Sequence, residues 1–459
     1  MRAFISIFAG IALLACSGCG GSSTGTSTQQ GPTPEWTWAA GSNTANQSGV
    51  YGTQGMPASG NTPGGRDGAL SWTDNSGNFW LFGGIANPSS TADNYFNDLW
   101  KYSASQWTWM GGSNNYNQAG IYGTQGTPAS GNIPGARFSA VSWKDASGNF
   151  WLFGGLGLDV NGRSELLNDL WEYSAGQWTW IGGSNVGIQN QPGIYGTEGT
   201  AAPGNVPGAR SNAVSWTDAS GNFWLFGGTG WDSTGALGNL NDLWKYSAGE
   251  WAWMGGANVT SQPGTYGVQG TPAAGNTPGA RFGSVPWTDP SGNLWLFGGS
   301  SGTNTFIPLN DLWKYSGGQW TWMSGSNLPD QNGVYGAPGV PASANSPGSR
   351  VGAVTWTDAA GNLWLSGGDG YDSAGDVDEL NDLWEYSAGK WAWMGGSNLV
   401  GESGIYGTLG SATSGNTPGG RSLAVGWTDT SGNFWLFGGL GYDAAGTLGQ
   451  LNDLWMYQP

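Results

Sequence analysis

Residues 134–181 read PGARFSAVSWKDASGNFWLFGGLGLDVNGRSELLNDLWEYSAGQWTWI, and most of the chain is this stretch repeated with variations. Short runs of alternating apolar and polar residues, separated by Gly, Asn and Ser, predict strands rather than helices. A first strand is expected over Arg137–Trp143, followed by a turn at Asp145–Asn149. A second strand covers Phe150–Phe153 and stops at the doublet Gly154-Gly155. The third is Asp169–Tyr173, and the turn Ser174–Gly176 leads to a fourth over Gln177–Ile181. Glycine in such turns supplies the positive φ that tight hairpins require.

The motif Pro-Gly-x-Arg marks the repeat, with its arginine at Arg66, Arg137, Arg210, Arg281, Arg350 and Arg421. The intervals of 71, 73, 71, 69 and 71 residues define six units. Four antiparallel strands repeated six times predict an all-β, six-bladed β-propeller. The last unit ends at Asn452-Asp453-Leu454-Trp455 and Tyr457 without the Trp-x-Trp strand that closes the others. That strand stands at the other end of the chain, as Glu35-Trp36-Thr37-Trp38. The N-terminal strand is therefore expected to complete the last blade and close the ring, leaving no open sheet edge there. Thirty of the 31 tryptophans fall five to a unit, and only Trp231 lies outside that pattern. Such regularity fits packing between blades; sugar-stacking platforms are the other reading.

The Gly-Gly doublet recurs at Gly83-Gly84, Gly154-Gly155, Gly227-Gly228, Gly298-Gly299, Gly367-Gly368 and Gly438-Gly439. With an aromatic in the third strand and a Trp in the fourth, this resembles the kelch motif over about residues 35–459. The resemblance implies the propeller architecture shared with the galactose oxidase catalytic domain. The period here exceeds the roughly 50 residues of a kelch repeat. The excess lies between the fourth strand and the next first strand. Galactose oxidase-like activity is not implied, because that family's copper site needs two His and a Tyr cross-linked to Cys. This chain has no His, and its two cysteines are Cys16 and Cys19.

Composition narrows the chemistry further. Without His there is no Ser-His-Asp or Cys-His catalysis and no His-ligated zinc. A net charge of −17, with six of the 13 basic residues in the repeated Arg, leaves no basic face for nucleic acid. Sialidase-like chemistry would need clustered arginines. The Arg recurs once per unit beside two repeated acids (Asp145 and Asp169 in the second), so an Arg–Asp brace within the scaffold is expected.

The N-terminus reads Met-Arg and then an apolar run from Ala3 to Ala15 that is too short to span a membrane. Leu13-Leu14-Ala15-Cys16 resembles a bacterial lipobox, which implies lipidation of Cys16 after removal of the preceding signal. An ordinary cleaved signal, or Cys19 as acceptor, is the alternative. Residues 17–34 read as a flexible tether and residues 35–459 as the propeller. The expected location is the bacterial outer membrane, cell surface or periplasm, with the membrane met through the lipid alone.

Variable sequence collects in two connections, from the second to the third strand and from the fourth to the next first strand, on one face. The longer connections carry Tyr51, Tyr122, Tyr195, Tyr266, Tyr335 and Tyr406, which either fold back on their blades or bind ligand. Trp231 is a further ligand-binding candidate. Four of the shorter connections carry Gly-x-Asp-x-x-Gly, at Asp159, Asp232, Asp372 and Asp443. These suit either Asx-type turns or calcium, and Asp376, Asp378 and Glu379 make the fifth unit the best calcium candidate. The sequence thus predicts a monomeric, non-enzymatic binding or scaffold propeller without cofactor, recognising a protein or surface polysaccharide. The alternative is a carbohydrate-active enzyme using carboxylates at the channel mouth, for which an asymmetric pair of buried acids would be the sign.

Overall fold

The computed structural model describes residues 35–86, 94–187, 191–303 and 305–459. The export signal, Cys16 and the tether lie outside these described residues. The chain is all-β, with no helix among the described residues, and four-stranded antiparallel sheets recur along it. In the second unit, Val141–Lys144, Phe150–Leu158, Ser164–Ser174 and Gln177–Gly182 lie side by side in chain order. The sixth unit's Val425–Thr428, Phe434–Phe437 and Leu454–Gln458 are joined by the N-terminal strand Glu35–Ala40. Trp36 pairs with Tyr457 there, and Trp38 with Trp455.

Two strand expectations need correction. The first strand of the second unit is not continuous: Arg137–Phe138 and Val141–Lys144 are separate pieces, broken at Ser139, whose φ is 52°. The second strand does not end at the Gly doublet but continues to Leu158, paired with a third strand that begins at Ser164. The doublet kinks the strand instead of stopping it. Gly154 and Gly155 have φ of 68° and 94°, and a Cβ on Gly155 would lie 2.8 Å from the Phe138 carbonyl oxygen. Only glycine tolerates both conditions, so the sheet bends here and carries a second hairpin above itself.

The break in the first strand has a consequence for how the units join. The Gly68 amide donates to the Leu423 carbonyl, Ser139 to Gly68, Asn212 to Ser139, Gly283 to Asn212, Gly352 to Gly283 and Leu423 to Gly352. All six residues hold positive φ, three of them without being glycine, because each must turn its N–H toward the neighbouring unit. Apolar packing follows the same order. Each of the six main clusters joins the facing sheets of two adjacent units, including Phe79, Trp100 and Trp107 of the first with Trp427 and Phe437 of the sixth. The tryptophan in every third strand (Trp171 in the second unit) is fully buried.

Candidate functional site

The repeated Arg and Asp meet within each unit as a buried hub. Arg137 Nη1 and Nη2 donate to Asp169 Oδ1 and Oδ2 at 2.7 and 2.8 Å, and both side chains are essentially inaccessible. The same pairing joins Arg66–Asp98, Arg210–Asp242, Arg281–Asp311, Arg350–Asp382 and Arg421–Asp453. Asp169 Oδ2 also accepts the Tyr122 hydroxyl and Trp171 Nε1, each at 2.7 Å. Arg137 donates two further protons, from Nε and Nη1, to the Gly135 and Gly154 carbonyls, so one guanidinium ties down the long connection and the kinked doublet. A buried charge is tolerable only when its hydrogen bonds are satisfied in this way.

That arrangement corrects the reading of the loop tyrosines as ligand-binding groups. The hydroxyls of Tyr51, Tyr122, Tyr195, Tyr266, Tyr335 and Tyr406 all donate to hub aspartates. Their rings pack against hub tryptophans, as Tyr122 does at 4.8 Å from Trp171. Burial and then the neighbouring aspartate charge push all six phenols upward. Their place is beneath the surface.

The aspartates of the upper hairpins also have partners. Asp159 Oδ1 accepts the amides of Asn161 and Arg163 in its own turn, and Oδ2 accepts that of Gly187 from the next connection. Asp232, Asp372 and Asp443 repeat this with Thr260, Val400 and Ala45 as the distant donors. These carboxylates form turns and latch the long connections. No group of three or more His, Cys, Asp or Glu side chains suited to a metal ion occurs among the described residues. Trp231 is half-buried at the end of its hairpin, in the position held by Tyr371 and Tyr442 in later units.

A cavity of about 280 Å³ is lined by four consecutive residues from every unit, beginning at Gly68, Ser139, Asn212, Gly283, Gly352 and Leu423. The residue just before each is the one after the repeated Arg, which sets it on the rim: Asp67, Phe138, Ser211, Phe282, Val351 and Ser422. A second variable position precedes the Leu/Phe-Asn-Asp motif: Tyr95, Leu166, Asn239, Pro308, Glu379 and Gln450. At three boundaries the two positions touch across neighbouring units. Tyr95 stacks on Phe138 at 5.6 Å, Ser422 Oγ donates to Glu379 Oε1 at 2.9 Å, and Gln450 Nε2 donates to Asp67 Oδ2 at 3.0 Å.

This rim has two unlike arcs. Ile85, Tyr95 and Phe138 pack with Ala136 and Leu158 on one side. Asp67, Asp369, Asp378 and Glu379 collect on the other, and none belongs to an ion pair among the described residues. Burial pushes the Asp67 carboxyl up to about 6, against the opposing Gln450 amide. Burial first, then the Asp369 charge, raises Glu379 well above the carboxylate range although Ser422 opposes it. Asp369 is raised by burial and by Asp378. Tyr442 donates to Asp378 Oδ2 at 2.7 Å, and that bond leads in pushing its phenol up to about 12. Of these residues the sequence pattern singled out only Asp378 and Glu379. The column after Pro-Gly-x-Arg carries Asp67 as its one acid, whereas Asp369 stands outside it, just after a Gly doublet.

No protein-family model and no curated protein matches the chain. Among solved structures, a fungal alcohol oxidase of the AA5 family in complex with copper is 12% identical, with 90% of this chain and 77% of that chain covered and a TM-score of 0.46. A protein of unknown function from Dyadobacter fermentans is 8% identical over 92% of this chain and 97% of that one, with a TM-score of 0.46. The structure of YjhT, a kelch-like β-propeller, aligns with 86% of this chain and 95% of its own, at 13% identity and a TM-score of 0.50. The likeness to YjhT is one of fold, and it makes this chain similar to a kelch-type β-propeller.

Proposed function

We propose that the chain is a six-bladed propeller, closed by its N-terminal strand, that binds a ligand at the rim of its central channel without catalysis. The six amide-to-carbonyl bonds that run from unit to unit and return from Gly68 to Leu423 support the count and the closure. So does the pairing of Glu35–Ala40 with Leu454–Gln458. The observation that carries the binding reading is the rim itself. Hub residues recur unchanged in all six units, whereas the two rim positions hold ten residue types in twelve places. A scaffold needs the first kind of position in every blade. A single ligand on the axis needs only one copy of its contacts, and that breaks the symmetry. Export and a lipid on Cys16 would set the propeller on the bacterial envelope, where surface polysaccharides and envelope proteins are at hand.

The test is a glycan array and a capture of envelope proteins with the protein and with its Glu379→Gln variant. Binding that the variant loses supports the rim; binding that it retains moves the ligand elsewhere. A second reading, a carbohydrate-active enzyme, has one observation in its favour. Asp67 and Glu379 are both buried and both held high, as a general acid requires near neutral pH. Release of reducing ends from a polysaccharide by the protein, abolished in Glu379→Gln, would establish that reading in place of the first.

A further inference from the structure

Beyond binding at the rim, the acidic arc has a chemistry of its own. Glu379 and Gln450 are only 5% and 3% exposed, yet Glu379 Oε2 and Gln450 Oε1 have no hydrogen-bond partner among the described residues. The other end of each group is fixed. Ser422 holds Glu379 Oε1, and Gln450 commits its amide nitrogen to Asp67. Gln450 Oε1 is therefore a stationed acceptor, and Glu379 Oε2 becomes a second once a cation displaces the carboxyl proton that burial favours. Buried oxygens left without donors are costly, and here two occur, one of them on Glu379, the cross-strand partner of the half-buried Asp369. The nearby guanidiniums cannot serve them, since Arg66 and Arg421 are spent on Asp98 and Asp453. What the arc lacks is a group with several N–H donors and a positive charge.

From this arrangement we infer that the arc formed by Asp67, Asp369, Glu379 and Gln450 binds the ammonium group of an unacetylated amino sugar. The inference rests on the proposed binding function and names its ligand class. An ammonium offers three donors and no acceptor, which suits the two buried acceptors that have none and the Asp369 carboxylate. It also supplies the cation that the uncompensated carboxylates favour over any neutral hydroxyl. A sugar suits the surroundings better than a lysine side chain does. The half-buried Tyr442 ring and its partner Asp378 offer an aromatic surface and a further acceptor alongside. A pyranose uses both, while a lone alkyl chain uses neither.

Calorimetric titration of the full protein with a glucosamine tetrasaccharide, its fully N-acetylated form, a glucose tetrasaccharide and tetralysine tests this. The expected result is binding of the glucosamine oligomer alone. Glu379→Gln and Asp369→Asn should each weaken it at least tenfold, while Asp376→Asn, at an exposed acid outside the arc, leaves it unchanged. Thermal melting of each variant checks that the fold is kept, and two rim variants guard against one misfolding. Equal binding of the N-acetylated oligomer overturns the ammonium inference while leaving rim binding intact. Tetralysine binding as tightly overturns the sugar and assigns the arc to a basic peptide. Failure of all four probes overturns the inference, and the array with wild type and Glu379→Gln then decides separately whether the rim binds at all.

Discussion

The hub around Arg137 and Asp169 and the arc around Asp67 and Glu379 are both buried and both charged, and Asp67 directly follows the hub arginine of its own unit, yet they are opposite in kind. In the hub each charge has an opposite charge at hydrogen-bond distance, and four of the five guanidinium protons go to carboxylate or carbonyl oxygens. In the arc carboxylates face carboxylates, one acid oxygen has no partner among the described residues, and burial pushes the Asp67 and Glu379 carboxyls upward. The hub recurs six times; the arc occurs once. Burial of charge therefore serves stability in one place and readiness to bind in the other, and balance of partners is what separates them.

The sharpest way to break this comparison is to remove one hub charge. Arg137→Ala strands Asp169 in the interior and should lower unfolding free energy by about 3–5 kcal/mol in urea titration. A loss near zero would mean that the hub is no more than decoration. The arc predicts the reverse sign. Asp67 titrates near 6 in the fold and near 3.8 when unfolded, so the native state binds more protons between those values and stability falls as pH rises through them. Asp67→Asn removes that cost and should stabilise the protein by about 2–3 kcal/mol at pH 7, the gain vanishing below about pH 4. If the variant is destabilised at both pH values, the carboxylate is a structural partner like those of the hub. The smallest effect sharpens the hub alone. Tyr122→Phe deletes one of several donors to Asp169 and should cost about 1.5–2 kcal/mol in the same urea titration, well short of the arginine.

Sequence reading reached these two regions unequally. Pairing of the repeated Arg with an Asp was legible because both recur with the unit, 32 residues apart in the second. The tyrosines were legible as regular but not as hub members, since nothing local shows that a loop 47 residues before Asp169 returns to it. The arc was almost invisible. Its contacts join Glu379 to Ser422 across 43 residues and Asp67 to Gln450 across 383, and each residue looks like an ordinary substitution in its own repeat. A search for what repeats passes over the positions where function has room to differ.

The sequence by itself determined the strand-and-turn pattern, the six units and the strand that Trp36 and Trp38 bring to the last one, because each is written in local alternation or in period. Tertiary structure alone decided that the strand of the second unit runs on through its Gly doublet rather than ending there, since the doublet's φ values and close carbonyls follow from the sheet around it. It alone decided, too, that Asp67 of the first repeat shares one arc with Asp369, Asp378 and Glu379 of the fifth. Burial and electrostatic coupling depend on distance in space, and no spacing along the chain encodes the distance between one unit and the next.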